Sequence, residues 1–189
     1  MLSLTKATGV VSPPAQPHMN HGEEGHEAHT DSAPLEGAAG EFAYHIAWLR
    51  VLEIWFHHAH WTTKGPTYYG DHLLFERIYN DVSELIDPLA EKAVAMCGVK
   101  VADTHMCSKL MVEMLCAYPS PSRSDEATMI AATGLALVKD YLETLDETYK
   151  KIKSSGGMTM GLDDLLMSHA NKLEEFVYLL QQRIQKTLG

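Results

Sequence analysis

The sequence predicts an all-α protein, a four-helix bundle with a long crossover connection between its second and third helices. Three observations predict it. Apolar residues recur at three- and four-residue steps through four long stretches. Clusters of Gly, Pro and Ser separate those stretches. No run alternates with the two-residue period of a strand. Two helices, a long connection and two more helices form a bundle with one crossover.

Taken in order, residues 1 to 40 read as a disordered tail. They hold Pro13, Pro14, Pro17 and Pro34 with scattered Gly and Ser and no apolar period. His18, His21, His26 and His29 alternate there with Glu23, Glu24 and Glu27, a tract suited to loose capture of divalent metal. The bundle domain is placed at 41–189. In its first helix Phe42, Ile46, Leu49, Phe56 and His60 form one stripe, and Lys64-Gly65-Pro66 stops the helix. The second helix runs from about Thr67 to Met96 on Leu74, Ile78, Val82, Leu85, Leu89 and Val94, with Gly98 past its end. Pro88 inside it removes one backbone bond and predicts a kink. A short helix is expected around Ser108 to Ala117, before Pro119 and Pro121. The third long helix spans about Ser124 to Lys153 and ends at Ser154-Ser155-Gly156-Gly157. The fourth starts near Leu162 and carries Leu165, Leu166, Leu173, Phe176, Val177, Leu180 and Ile184.

A chain of 189 residues suffices for one domain and a tail. Its formal net charge of −10 argues against a phosphate-binding surface and suits attraction of cations. The start lacks a signal-peptide h-region and no stretch is long enough to span a bilayer, so a cytoplasmic setting is expected. Cys97, Cys107 and Cys116 form neither a CxxC pair nor an even framework, and read as reduced thiols and small buried hydrophobes.

The chemistry concentrates in the first two helices. On the second, His72 and Glu76 are four apart, as are Asp87 and Glu91, and all four fall within about 100° of helix face. A lone His or acid on a helix is usually a solvated group, but His, Glu and Asp together are the mixed set that suits iron, zinc or manganese. The two pairs lie roughly 22 Å apart at 1.5 Å per residue, so one chain cannot close both around one ion. His72 and Glu91 are symmetric about the same midpoint as Glu76 and Asp87. An antiparallel two-fold copy would therefore set each His72–Glu76 pair against its partner's acids, making two equivalent sites. In a hairpin around Gly65-Pro66, His60 lies at the height of His72 and joins the site, with Trp61 beside it. Of the remaining histidines in "HHAHW", His57 reads as a surface residue near Arg50 and Glu53, and His58 as packing or solvent-facing.

These residues resemble the ferroxidase signature of the Dps family, the dodecameric mini-ferritins of the ferritin-like superfamily. His60-Trp61, His72 twelve residues on, an acid at 76, and Asp87-x3-Glu91-Lys92-Ala93 carry the likeness. It covers about residues 41 to 188 and recurs weakly in "KLEEFVYLLQ". The resemblance implies that His60, His72 and Glu76 face Asp87 and Glu91 of a two-fold mate and bind two irons, with zinc as a substitute. It implies hydrogen peroxide as oxidant, a catalytic place for Trp61, and a twelve-subunit shell that stores ferric mineral against oxidative damage. Asp163 and Asp164 are candidates for a pore. Two departures stand out: the first acid is usually Asp and here is Glu76, and Pro88 lies within the motif helix. The tail departs as well, because DNA-binding members often carry lysine-rich termini and this one has a single lysine, Lys6. The alternatives are a nucleoid-compacting protein with the same shell, disfavoured by charge, and a zinc-binding helical assembly protein.

Overall fold

The computed structural model describes residues 38–122 and 126–185. The chain divides into Met1–Ala33 and Pro34–Gly189; the first unit, with His18, His21, His26 and His29, lies outside the described residues. Five α-helices follow one another: α1 (Ala39–Thr62), α2 (Tyr68–Cys97), α3 (Thr104–Ala117), α4 (Ala127–Ser154) and α5 (Met160–Ile184), with a 3₁₀ turn at Val99–Ala102. No strand occurs among the described residues. This is the expected bundle of four long helices, with α3 inside the crossover.

The breakers act locally as their chemistry requires. Gly65 and Gly98 take φ of 91° and 85°, a region open to glycine, and end the reversal after α1 and the helix α2. Asp103 caps α3 by accepting from the Met106 amide at 2.8 Å, and Thr159 caps α5 by accepting from Leu162 at 3.2 Å. The α2 helix runs unbroken through Pro88 to Cys97. Proline removes only the bond to the carbonyl of Glu84, and both residues are exposed, so water can take the place of the lost donor.

Phe42, Leu49, Leu52 and Phe56 of α1 meet Phe75, Ile78 and Leu89 of α2, Leu137 and Tyr141 of α4, and Leu166, Leu173 and Phe176 of α5 in one core. The single stripe expected on α1 is too narrow. Trp48, Val51 and Trp55 are buried too, because the crossover covers the helix's outer side. Trp55 Nε1 donates to the Pro119 carbonyl at 3.0 Å, and the Trp48 ring lies 5.7 Å from that of Tyr118.

Gly134 lets α4 approach α1. A Cβ there would stand 2.8 Å from the Phe56 ring and 3.1 Å from Trp55. Gly134→Ala is therefore expected to destabilise by about 1–3 kcal/mol through overpacking, outweighing the roughly 1 kcal/mol that alanine gains as a helix former. A denaturant midpoint at or above wild type would refute the close approach.

Among the described residues, no helix is long and apolar enough to cross a membrane.

Candidate metal centre

His60 sits in the last turn of α1 and His72 just inside α2. The short connection folds α2 back along α1, and the two imidazoles stack with centroids 3.6 Å apart and planes 20° apart. Each Nδ1 is bound to the other's backbone carbonyl: His60 Nδ1 to His72 O at 2.9 Å, and His72 Nδ1 to His60 O at 3.0 Å. A carbonyl only accepts, so both Nδ1 atoms carry the proton. In the neutral ring the lone pair then lies on Nε2, the state and orientation a metal ligand needs. The arrangement also uses the His60 carbonyl, one of the four at a helix end that have no donor within the helix.

An aromatic frame holds the pair. Tyr68 stacks on His72 at 5.1 Å, and Tyr79 stands edge-on to His60 at 5.5 Å. Tyr79 also stacks on His57 at 4.3 Å, and His57 meets Trp61 at 4.2 Å. His57 is thus half-buried packing and not the surface residue expected, because Tyr79 of α2 covers it. Arg50 and Glu53, expected beside it, pair with each other at 3.0 Å. His58 is exposed, and Trp61 keeps 59% of its surface open.

Glu76 follows His72 by one turn of α2 and is half-buried, whereas Asp87 and Glu91 are exposed farther along the same helix. The structure brings His60 and His72 together but leaves Asp87 and Glu91 roughly 22 Å and 28 Å from His72 along the axis at 1.5 Å per residue. Among the described residues, no group of three His, Cys, Asp or Glu is placed to hold a metal ion within one chain. Asp163, a pore candidate, accepts from Tyr149 Oη at 2.7 Å, while Asp164 is exposed.

Sequence reasoning missed three supports. Tyr68 and Tyr79 lie at −4 and +7 from His72, a helical spacing that put them on its face. Asp71 is buried (1% exposed) and bound by Arg183 of α5 through two nitrogens, one of them Nη2 at 2.9 Å. Thr67 Oγ1 donates to Asp71 at 2.7 Å and accepts from Arg183 at 2.9 Å. This cluster ties the start of α2, and with it His72, to the end of α5. Nothing local in the sequence signals a partner 112 positions away.

No family model matches the chain. It is 29% identical over 135 residues to DNA protection during starvation protein 2 of Bacillus anthracis, covering 69% of this chain and 85% of that one. A 52-residue stretch is 36% identical to the DNA protection during starvation protein of Brevibacillus brevis, where it spans only 35% of that relative. Among solved structures, Dps from Thermosynechococcus elongatus superposes with a TM-score of 0.70 at 21% identity, over 82% of this chain and 94% of its own. The chain has the fold of the Dps proteins. A Dps protein from Bacillus brevis is similar to the same extent, with a TM-score of 0.69 at 19% identity, over 82% of this chain and all of that one. The similarity to each structure extends over four-fifths of this chain, so the agreement is of the whole bundle and not of one hairpin.

Proposed function

We propose that the chain oxidises Fe²⁺ with hydrogen peroxide at sites shared by two-fold-related copies and stores the ferric product inside a closed homo-oligomeric shell, most simply of twelve subunits. The reciprocal hydrogen bonds of His60 and His72 carry this reading. They prepare two Nε2 lone pairs side by side at a place where one chain supplies too few ligands to complete a centre. Glu76, one turn after His72 on α2, is the carboxylate this chain adds when the centre closes, and the exposed Asp87 and Glu91 supply a partner's site as the partner supplies theirs. Iron is the substrate. Two Fe²⁺ ions each give one electron to a peroxide molecule, whose O–O bond breaks and which takes up two protons to leave as two waters. No hydroxyl radical is released. Hard carboxylates favour the ferric product, and the imidazoles hold the incoming ferrous ion. Trp61, exposed and in ring contact with His57 at 4.2 Å, is placed to absorb a stray oxidising equivalent. Zinc suits the same ligands and is expected to compete.

Adding peroxide to protein loaded with Fe²⁺ should raise ferric absorbance while light scattering reports a constant particle far larger than the 21.0 kDa chain. A native monomer, or oxidation no faster than in buffer, would sink the proposal. DNA compaction is disfavoured by the −10 charge, and no retardation of duplex DNA is expected even at low salt.

A further inference from the structure

A second group of imidazoles lies in the centre of the bundle, about 22 Å along α1 from His60. His45 of α1 and His169 of α5 are buried, 0% and 1% exposed. Among the described residues, all four of their ring nitrogens lack a hydrogen-bond partner, as does the hydroxyl of buried Tyr141 on α4. The His45 ring lies 5.6 Å from that of Tyr141, which in turn stacks on Trp48 at 5.7 Å. A bundle core accepts leucine at such positions without this desolvation cost, so two unpartnered imidazoles there stand out.

The surroundings offer a charged imidazole little. On α1 the carboxylate nearest His45 is Glu41, one turn away. It is already engaged by Lys151 and Thr148 of α4, and the Lys151 bond holds it below the ordinary carboxylate range. From α5 the titratable neighbour of His45 is His169 itself, which opposes a charge on it. From α4 comes Tyr141, whose burial raises its phenol far above the ordinary range, so it stays neutral. In the antiparallel register set by His60 and His72, α2 presents Ile86 and Leu89 at this height, both buried and apolar. From the crossover, Glu113 of α3 and Tyr118 just after it line the groove beside Tyr44 and Trp48, and the Tyr118 hydroxyl donates to Asp140 of α4 at 2.8 Å. Near His169, Lys172 of α5 is paired with Asp81 of α2 and with Glu175. Asp146 of α4 and Glu174 of α5 line the outer groove between those helices.

We propose that His45 and His169 form an acid latch in the bundle core: a proton on either imidazole forces α1, α4 and α5 apart, so that the subunit opens in mildly acidic solution. Burial holds both imidazoles down at about 4 in the folded chain, against 6.5 when free. The unfolded chain therefore binds more protons. The stability that comes with the neutral rings is complete above pH 6.5 and drains away as pH falls from there toward 4. Each imidazole contributes up to about tenfold in the folding constant per pH unit across that window. Carboxylates, which titrate lower, leave the upper part of the window to histidine.

Equilibrium unfolding of the full chain, followed by circular dichroism at fixed protein concentration between pH 7 and pH 4.5, tests this. The wild-type folding constant should drop steeply below pH 6.5. In the double variant His45→Leu/His169→Leu most of that slope should vanish, leaving the part due to the other histidines. Should that variant fail to fold, His45→Gln and His169→Gln should each remove about half of the slope. Exchange of the histidine C2 hydrogens in the wild type, read by mass spectrometry, should be slowest at positions 45 and 169. Slopes unchanged by these substitutions, or C2 exchange at His45 and His169 as fast as at exposed His58, would overturn the latch.

Discussion

His72→Ala and Glu91→Ala, each inactive alone, are expected to recover peroxide-driven iron oxidation when assembled together. Each variant on its own empties one side of every shared site, so each should retain less than about a tenth of the wild-type rate, the scale expected when one ligand of a metal centre is lost. In a mixed two-fold dimer, one site lacks both groups and the other is intact. Random one-to-one co-assembly leaves about a quarter of all sites whole, because a whole site needs His72 from one variant and Glu91 from the other. The rate of the mixture should therefore rise to roughly a quarter of wild type, well above the mean of the separate variants. The expectation follows from His60 and His72 meeting at one end of the α1–α2 hairpin while Asp87 and Glu91 stand exposed on the far half of α2. Mixed oligomers confirmed by native mass spectrometry but no more active than either parent would place His72 and Glu91 in separate functions.

Arg183→Met should be the most damaging substitution outside the candidate centre. The guanidinium is the charge partner of Asp71, whose side chain is 1% exposed against 19% for Arg183. Removing it leaves the buried carboxylate with the Thr67 hydroxyl as its one side-chain partner among the described residues. Breaking a buried pair from one side costs about 3–5 kcal/mol, which for a domain of this size lowers the melting temperature by roughly 6–20 °C. Asp71→Asn in the same chain should restore part of the loss, since the unpaired charge is gone. Because the cluster anchors the first turn of α2, Arg183→Met should also slow iron oxidation although residue 183 is not a ligand. A melting temperature within about 2 °C of wild type, less than 1 kcal/mol on that scale, would show that the pair contributes little.

Much of this architecture was legible in advance because its causes are local. Lys64-Gly65-Pro66 and Gly98 stop helices through their own backbone preferences, and α1, α2, α4 and α5 lie within a few residues of where apolar spacing put them. Crossover helix α3, expected from Ser108, begins four residues earlier because Asp103 caps it. The stripe on α1 was underestimated, since spacing along one helix does not reveal that α3 will cover the opposite side. His57 was misplaced for the same reason: its partner, Tyr79, belongs to another helix.

The sequence by itself determined where helices start and stop, and which ligand-type residues share a face of α2, because both depend on neighbours within a turn or two. It also determined that His72 and Glu91 of one chain cannot share an ion, since a rise of 1.5 Å per residue sets them roughly 28 Å apart whatever the surroundings. Only the tertiary structure decided that His60 and His72 lock each other's Nδ1, that Arg183 reaches Asp71, and that His45 and His169 are buried with no hydrogen-bond partner among the described residues. Hydrogen-bond partners and burial are set by which helices pack together, and that information is not carried in spacing along the chain.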